Sequence, residues 1–240
     1  MTTAEIARRL GSSRSLVVRV LKELERGELL ERVDPYRWWL GVSALEVGGA
    51  YLSRADFTHI ARGEMRTLAE VTGETINLGT LREASVVYVM KEEGRHAIVT
   101  ISHVGKALPA NCSALGKVLL AQLSWSEVEA RLGPGELPAL TDRSITDRGR
   151  LEQELEEVRR RGYATEHGES VAGRGCVAVA IQLPGLHRAS AFSISCAEQD
   201  FLGRREELAR ALTASRDRLA RGAGSVWALR DAMGDTGESP

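Results

Sequence analysis

The feature that most constrains the fold of this chain is a pair of short helical segments near its N-terminus, separated by a tight turn. The segment TTAEIARRLG begins at Thr2, has Glu5 in the position that a capping box requires, and ends at Gly11. The segment SSRSLVVRVLKELERG begins at one of its first two serines and ends at Gly27. These signals predict two consecutive short helices joined by a tight turn.

The second of these helices has an apolar face and a basic face. At about 100° per residue, its apolar residues fall within one arc of roughly 140°. The apolar arc holds Leu16, Val17, Val20, Leu21 and Leu24, and the opposite arc holds Ser15, Val18, Arg19, Lys22 and Arg26. Between Arg8 and Lys22 the chain has no acidic residue, although it has 32 basic and 33 acidic residues in all. We therefore predict that this helix packs with one face and presents cations on the other.

A small hairpin is predicted directly after the basic helix, since two strand-like runs, 29–33 and 36–40, flank the turn pair Asp34-Pro35. Helix, tight turn, basic helix and hairpin in this order predict a winged helix-turn-helix DNA-binding domain over residues 1–41. Basic side chains contact phosphates, and residues at the N-terminus of such a helix reach base edges. The predicted DNA-binding residues are Ser12, Ser13, Arg14, Ser15, Arg19, Lys22 and, on the wing, Arg37. The alternative is a helix face whose charges are simply solvated.

The rest of the chain predicts an α+β domain. Residues 42–56 form a linker helix with a flex point at Gly48-Gly49. From residue 57 to 222, strand-like runs such as ETINLGTL, ASVVYVMKEE, AIVTIS, CVAVAIQLP and ASAFSISCA are flanked by amphipathic helices. Residues 223–240, which are rich in glycine and polar residues, are assigned to a flexible tail.

Composition narrows the class of protein. The chain has no run of about 18 consecutive apolar residues, so we expect no membrane span. Its first residues do not follow the basic-then-apolar pattern of a signal peptide, so we do not expect secretion. Three separated cysteines indicate reduced thiols in a cytoplasmic protein. Residues 1–41 carry 8 basic and 6 acidic residues, a net charge of only +2. We therefore expect a homodimer or homotetramer that binds a palindromic operator, because a single copy would bind DNA weakly.

Enzyme motifs are lacking. Cys112 with His103 or His167 would form a thiol–imidazole pair, but no third group orients it. The cysteines and histidines lack the paired C-x-x-C spacing of a zinc site, and no glycine-rich dinucleotide fingerprint occurs. Gly116-Lys117 lacks the first glycine and the hydroxyl residue of a phosphate loop. We predict no enzyme activity, no cofactor and no metal, with a structural metal as an open alternative.

The order of these segments resembles the IclR family of bacterial transcription regulators over about residues 2–222. The matching stretches are AEIARRLGSSRSLVVRVLKELERGELLER, WWLG, LPANCSALGKVLLAQL, RGYATEHGESVAGRGCVAVAI and SAFSISCA. The resemblance implies a GAF-like second domain with a pocket for a small organic effector. It also implies a further helix before Thr2, a first helix that we expect to be missing from this chain, so that Leu16, Val20 and Leu24 lose some apolar cover.

The resemblance also carries the family's effector contacts onto positions of this chain. These are Leu108, Ala114, Leu115, Glu166, Cys176, Ser193 and Ser195. Three further candidates are Asn111 and Ser113, where a helix N-terminus can bind a carboxylate, and Arg174, which would attract an acidic ligand if it faces the pocket. The alternative for the two serines and for Cys176 is a place in the apolar core.

Together these observations predict a ligand-responsive DNA-binding regulator, a repressor of a catabolic operon that senses a small organic acid. Effector binding would change the spacing of the recognition helices through the linker near Gly48-Gly49. The alternative is a domain that binds or transforms a small molecule and carries a vestigial DNA-binding segment.

Overall fold

The computed structural model describes residues 1–53, 56–97, 103–181 and 189–232 of the chain. The chain divides into two compact units, Met1–Asp56 and Phe57–Pro240. Residues 98–102, which hold most of the predicted strand AIVTIS, and residues 233–240 of the predicted tail lie outside the described residues.

The first unit contains helices and one hairpin in the predicted order. Its elements are α1 (Thr3–Leu10), α2 (Arg14–Arg26), β1 (Leu30–Asp34), β2 (Arg37–Leu40) and α3 (Val42–Ser53). Thr2 and Glu5 form the predicted capping box, and Gly11 ends α1 with a φ of 59°. Only glycine adopts this left-handed conformation at little cost, which explains the residue at the turn. Ser13 is the N-cap of α2 and accepts a hydrogen bond from the Leu16 N–H.

The core of the first unit is small and centres on Trp38 of the wing. Val17, Leu21 and Trp38 are buried, with three partly buried apolar neighbours from α1 and β1. The Trp38 indole N–H donates to Thr3 Oγ1 at 3.0 Å, and the Arg32 guanidinium lies 4.5 Å from the ring centroid. These contacts hold the wing against the start of α1.

Two of the five residues on the predicted apolar face of α2 are exposed, and both are among the three expected to lose apolar cover. Val17 and Leu21 are buried and Leu24 is partly buried, but Leu16 and Val20 are 43% and 48% exposed. The physical reason is that α1 and the wing cover a narrower strip of the helix than the whole apolar arc. Leu10, at the end of α1, is 66% exposed as well.

Two helices differ from what the sequence predicts, one in its continuity and one in its length. Helix α3 is continuous through Gly48-Gly49, where a flex point is predicted. Helix α8 (Glu198–Ala232) extends ten residues into the segment assigned to a tail, over residues 223–232.

The second unit is built on an antiparallel sheet. Before the sheet comes α4 (Asp56–Thr72), and the strands are β3 (Thr75–Arg82), β4 (Ser85–Glu92), β5 (Ala107–Pro109), β6 (Ala164–His167), β7 (Arg174–Ile181) and β8 (Ser190–Ala197). A 3-10 turn (Ala110–Cys112), α5 (Ala114–Leu120), α6 (Trp125–Leu132) and α7 (Arg148–Arg161) lie between β5 and β6, and α8 follows β8. The strand order is β5-β4-β3-β8-β7-β6. The predicted α+β class, an antiparallel sheet flanked by helices, is confirmed.

Strand alternation divides the sheet into two apolar layers. One face packs on α4 and α8 through residues such as Ile76, Leu78 and Phe192. The other packs on α5 and α7 through residues such as Val86 and Ala178. None of the helices in the described parts of the chain is both long and apolar enough to span a membrane.

Candidate functional site

The exposed face of α2 carries the cations that the sequence predicts for DNA contact. Arg14, Ser15, Arg19 and Lys22 are all exposed. Within the part of the chain that the structure describes, none of these three cations forms an ion pair. Because Val17 and Leu21 on the opposite face fix the helix in its unit, the charged side chains project as a set.

The two serines before α2 have local structural roles. Ser12 Oγ donates to the Leu10 carbonyl at 3.3 Å, and Ser13 Oγ lies 3.2 Å from Ser15 Oγ while it caps the helix. These interactions order the turn that leads into α2. The hydroxyls remain at the helix N-terminus, where such side chains reach the nucleic acid.

Arg37 closes the wing turn with Asp34. The Arg37 Nε lies 2.8 Å from Asp34 Oδ2, and Asp34 Oδ1 accepts from the backbone N–H groups of Tyr36 and Arg37. The hydrogen bond from the Tyr36 N–H, and to a smaller extent the one from the Arg37 side chain, holds the pKa of Asp34 below its usual range. The Arg37 side chain is still 66% exposed, so the ion pair orients a guanidinium that solvent reaches.

In the second unit, four predicted ligand residues lie on one face of neighbouring strands. Glu166 of β6 pairs with Cys176 of β7, which pairs with Ser195 of β8. Ser193 lies two residues along β8, on the same face. Directly paired residues of antiparallel strands have adjacent side chains, so these positions form one polar strip.

Two acceptors on this face are buried and unsatisfied. Glu166 is 1% exposed; its Oε1 accepts from Ser170 N–H at 2.7 Å and Ser170 Oγ at 3.0 Å, whereas its Oε2 has no partner in the described residues. Asn77 lies opposite Ser193, and its Oδ1 is equally buried and without a partner there. A buried acceptor left unpaired costs on the order of 1–3 kcal/mol, so each is a place where a ligand donor would bind favourably.

Tyr88 also belongs to this environment and was not predicted. Burial, then the nearby Cys176 and Glu166, raise the pKa of the Tyr88 hydroxyl, which therefore stays protonated and able to donate. Burial and Glu166 likewise raise the pKa of the Cys176 thiol, and a hydrogen bond with Ser195 opposes them. The alternation of polar residues with Ile76 and Leu78 in ETINLGTL was the signal that could have identified Asn77; for Tyr88 there was no comparable signal.

The predicted residues around α5 are buried but largely engaged. Asn111 donates through Nδ2 to the carbonyls of Pro138 and Ile145 at 2.8 and 2.9 Å, which leaves its Oδ1 without a partner among the described residues. Ser113 Oγ caps α5 by accepting from the Gly116 N–H at 3.0 Å. The prediction of a carboxylate site at this helix start therefore gains no support from its hydrogen bonds. Ala114 and Leu115 follow, both buried.

Leu108 and Arg174 lie apart from the polar strip. Leu108 is on β5, opposite Val86 at the other edge of the sheet, and packs in the same apolar cluster as Leu115. Arg174 opens β7 and pairs with Ala197. It lies two residues before Cys176 and so is on the same strand face. It is partly buried and is a cation beside the strip, although not one of the residues that form it.

A buried ion pair next to the strip was missed entirely. Lys117 of α5 is 1% exposed, and its Nζ lies 2.7 Å from Glu169 Oε1 and 3.7 Å from Glu154 Oε1. Burial raises the pKa of Glu169, and Lys117 opposes that shift. A lysine within the apolar run ALGKVLL was the available signal, because lysine is almost never buried without a partner.

The same pair borders a cleft of about 300 Å³ between α7 and β6, lined by Arg150, Gln153, His167 and others besides Lys117 and Glu169. None of the predicted effector residues lines this cleft. We base the ligand site on the buried polar strip, because unsatisfied acceptors indicate a missing partner more directly than open volume does. Within the described residues no group of three or more histidine, cysteine or acidic side chains could hold a metal ion.

Comparison with known proteins gives matches over most of the chain. Residues 49–221 match the family described as bacterial transcriptional regulator IclR C-terminal. The chain is 34% identical over 182 residues to the HTH-type transcriptional regulator BhcR of Paracoccus denitrificans, and 33% identical over 178 residues to KdgR of Escherichia coli. These matches cover 75% and 74% of this chain, and 65% and 68%, about two thirds, of the relatives.

A solved IclR transcriptional regulator from Alicyclobacillus acidocaldarius has the same fold, with a TM-score of 0.76 and 32% identity. The likeness covers 92% of this chain and 89% of that one, and so extends into both units. The helical first unit, the sheet with its polar strip and these matches lead to one conclusion: the chain belongs to the IclR family of bacterial transcriptional regulators.

Proposed function

We propose that this protein is a ligand-responsive DNA-binding regulator that acts in the bacterial cytoplasm and represses a catabolic operon. The observation that carries the proposal is α2, which buries Val17 and Leu21 while it exposes Arg14, Arg19 and Lys22 without ion pairs among the described residues. Exposed cations of this kind supply affinity for phosphates, and the preceding serines lie where base edges are reached.

The proposal includes a homodimer or homotetramer on a palindromic operator. Residues 1–41 have a net charge of +2, from 8 basic and 6 acidic residues. So small a charge gives one copy weak affinity, and two copies on two half-sites gain from simultaneous contact.

The effector we propose is a small hydroxy acid. Glu166 Oε2 and Asn77 Oδ1 are buried acceptors without partners in the described residues, so they call for hydroxyl donors. The carboxylate of the effector would lie toward Arg174, a cation at the start of β7, beside the strip.

A gel-shift assay with the DNA upstream of the protein's own gene tests the first part. We expect retardation of this DNA by the full chain, and release when the effector is added. The proposal is wrong if the DNA is retarded neither by this chain nor by a longer protein that also contains the residues encoded in frame before Met1. It is also wrong if the affinity for DNA is the same with and without a bound effector.

A thermal-shift screen tests the effector class, because a ligand that binds the native state raises its melting temperature. The panel pairs gluconate, lactate and 4-hydroxybenzoate with their neutral amides, and we expect only acids to stabilise the protein. Isothermal titration of the best acid into Arg174→Ala then checks the proposed carboxylate contact, and an unchanged affinity would refute it.

The second candidate function, a domain that binds or transforms a small molecule without regulating DNA, rests on the same polar strip. It predicts stabilisation by a ligand but no retardation of DNA. In our proposal the protein is not an enzyme, so incubation with the stabilising acid should leave that acid unchanged by mass spectrometry.

A further inference from the structure

The side chain of Lys117 is among the largest fully buried ones of the described residues, and it is a cation. It belongs to α5, the helix that also carries Ala114 and Leu115 at the predicted ligand site. Removing an ammonium from water is costly unless a carboxylate compensates it, so the position of Lys117 fixes where an acid must lie. That acid is Glu169, whose Oε1 lies 2.7 Å from Nζ.

Glu169 is part of a short turn that connects directly to the ligand site. The backbone carbonyl of Glu169 accepts from Ser144 Oγ at 2.7 Å, and the carbonyl of Gly168 accepts from Thr141 Oγ1 at 2.6 Å. The next residue, Ser170, donates from both its N–H and its hydroxyl to Glu166 Oε1. Glu166 is thereby held through Oε1, while Oε2 has no hydrogen-bond partner among the residues that the structure describes.

The second acid near Lys117 is engaged elsewhere. Glu154 Oε1 lies 3.7 Å from Lys117 Nζ but only 3.0 Å from the Arg161 guanidinium. Glu169 is therefore the main partner of Lys117. A link runs from α5 through Lys117 and Glu169 to Ser170 and from there to Glu166.

We propose that the buried Lys117–Glu169 ion pair is the positioning device of the ligand site: it anchors the 168–170 turn to α5 so that Ser170 orients the Glu166 carboxylate toward the ligand. Lys117 is a positioning residue in this proposal, since it acts through Glu169 and Ser170. The inference rests on the proposed function only in taking Glu166 as a ligand contact.

The decisive variant is Lys117→Met/Glu169→Leu, which replaces both charges with apolar side chains. Replacing a whole buried pair in this way is often neutral for stability, whereas removing one partner leaves an uncompensated charge. A role confined to stability therefore predicts a double variant that resembles the wild type. A positioning role predicts a folded protein with a loosened turn.

Hydrogen–deuterium exchange on the ligand-free full chain distinguishes the two. We expect the Ser170 amide, which donates to Glu166, to exchange at least tenfold faster in the double variant, while amides within α5 and α7 keep their protection. The control is Arg204→Met/Glu74→Leu, which removes another ion pair, 2.9 Å long, between the buried Glu74 and the partly exposed Arg204 of α8. The control should leave Ser170 exchange unchanged.

Unchanged Ser170 protection in the folded double variant would overturn the proposal, as would equal acceleration in the control. If the double variant does not fold, Glu169→Gln serves instead, because it keeps the shape of the side chain and weakens the ion pair. We then expect the Ser170 amide to exchange about threefold faster, and an unchanged exchange rate would refute the proposal. Because no ligand is used, this outcome is independent of the effector proposal.

Affinity provides the second readout, with the acid from the panel that stabilises the wild type most. We expect about tenfold weaker binding by the double variant and by Glu166→Gln, and no further loss when the two are combined, because both changes act through one carboxylate. If the combined variant instead loses affinity by the product of the two separate losses, the ion pair affects binding by a route other than Glu166. Failure of every acid to bind the wild type would count against the effector class alone.

Discussion

Arg19 lies on the exposed face of α2, within about 60° of Ser15 and of Lys22 in helical projection. Its side chain is exposed and has no acidic partner within the described residues, so the guanidinium is available without the loss of an internal ion pair. Arg26, by contrast, is bound to Glu23 at 2.7 Å near the end of the same helix. The acid-free stretch of the sequence therefore corresponds to the part of the helix whose cations stay unneutralised.

Replacing Arg19 with alanine should weaken DNA binding on all sequences and make it less dependent on salt. One phosphate contact contributes about 0.9 to the slope of log K against log salt, so the slope should fall by about 1. Fluorescence anisotropy at several salt concentrations measures it. Arg66→Ala, an exposed residue of α4 with the same change of charge, is the control. Equal slopes for the two variants would exclude Arg19 from the contact.

The buried thiol of Cys196 makes the stability of the protein depend on alkaline pH. Burial, followed by the charge of Glu74, raises the pKa of Cys196 to about 12. In the unfolded chain a cysteine titrates near pH 8.5. The folded state thus keeps a proton that the unfolded state loses, and folding stability from this group is present below pH 8.5 and declines as the pH rises toward the folded value.

Each pH unit above the unfolded pKa lowers the free energy of unfolding by about 1.4 kcal/mol through this thiol. Between pH 8 and pH 10 the wild type should therefore lose about 2 kcal/mol more of its free energy of unfolding than Cys196→Ala. Urea denaturation at each pH gives the two curves. The comparison uses only their difference in slope, since the substitution also removes packing. Parallel curves would show that the folded thiol titrates normally.

At the scale of elements, α5 is held unusually close to the 3-10 turn before it. A Cβ on Gly116 would lie 2.2 Å from the backbone carbonyl oxygen of Ala110, which cannot move aside as a flexible side chain could. This close approach lets Ser113 cap the helix and places Lys117 within reach of Glu169. The glycine is needed for space, because its φ is not positive.

Gly116→Ala should destabilise the second unit by about 3 kcal/mol, at the upper end of what overpacking costs. Gly63→Ala on α4 is the matched control: nothing lies within 4 Å of its added Cβ, so alanine should stabilise the helix by about 0.5–1 kcal/mol. Thermal denaturation measures both. A similar change for the two substitutions would contradict the tight packing of α5.

Local signals predicted the first unit well. The Thr2–Glu5 box, Gly11 and the turn at Asp34-Pro35 act within a few residues of themselves, so the sequence alone indicates where the helices and the hairpin begin and end. The exposure of Leu16 and Val20 was expected from the family resemblance, and no local signal in the helix itself indicates it. It depends on how much of α2 other elements cover, which is a tertiary property.

The ligand site shows the same limit over longer distances. Ser193 and Ser195 were placed on one face by strand alternation, but their proximity to Asn77 and to Cys176 follows from the strand order β3-β8-β7. No local signal encodes that order. Lys117 was considered only as part of a phosphate loop whose motif is incomplete, and its partner Glu169 lies 52 residues away, where no local signal connects the two.

At the scale of the whole molecule, the proposed dimer on a palindromic operator leads to a geometric prediction. Two recognition helices related by a two-fold axis contact half-sites about one helical turn, roughly 34–36 Å, apart on one face of the duplex. Inserting five base pairs between the half-sites found by footprinting should abolish tight binding, because it rotates one half-site to the opposite face. Inserting ten should restore part of it. Gel-shift titration that finds equal affinity for both insertions would argue against paired half-sites.

Several hydrogen bonds that hold the loop between α6 and α7 in place have a backbone carbonyl as their acceptor. Asn111 binds the carbonyls of Pro138 and Ile145, and every amino acid supplies such a carbonyl. The loop's own Thr141 and Ser144 bind carbonyls of the 168–169 turn in the same manner. Residues between these attachment points can therefore be exchanged over evolution while the loop keeps its course. A scaffold of this kind can acquire new ligand preferences by small sequence steps without first losing its fold.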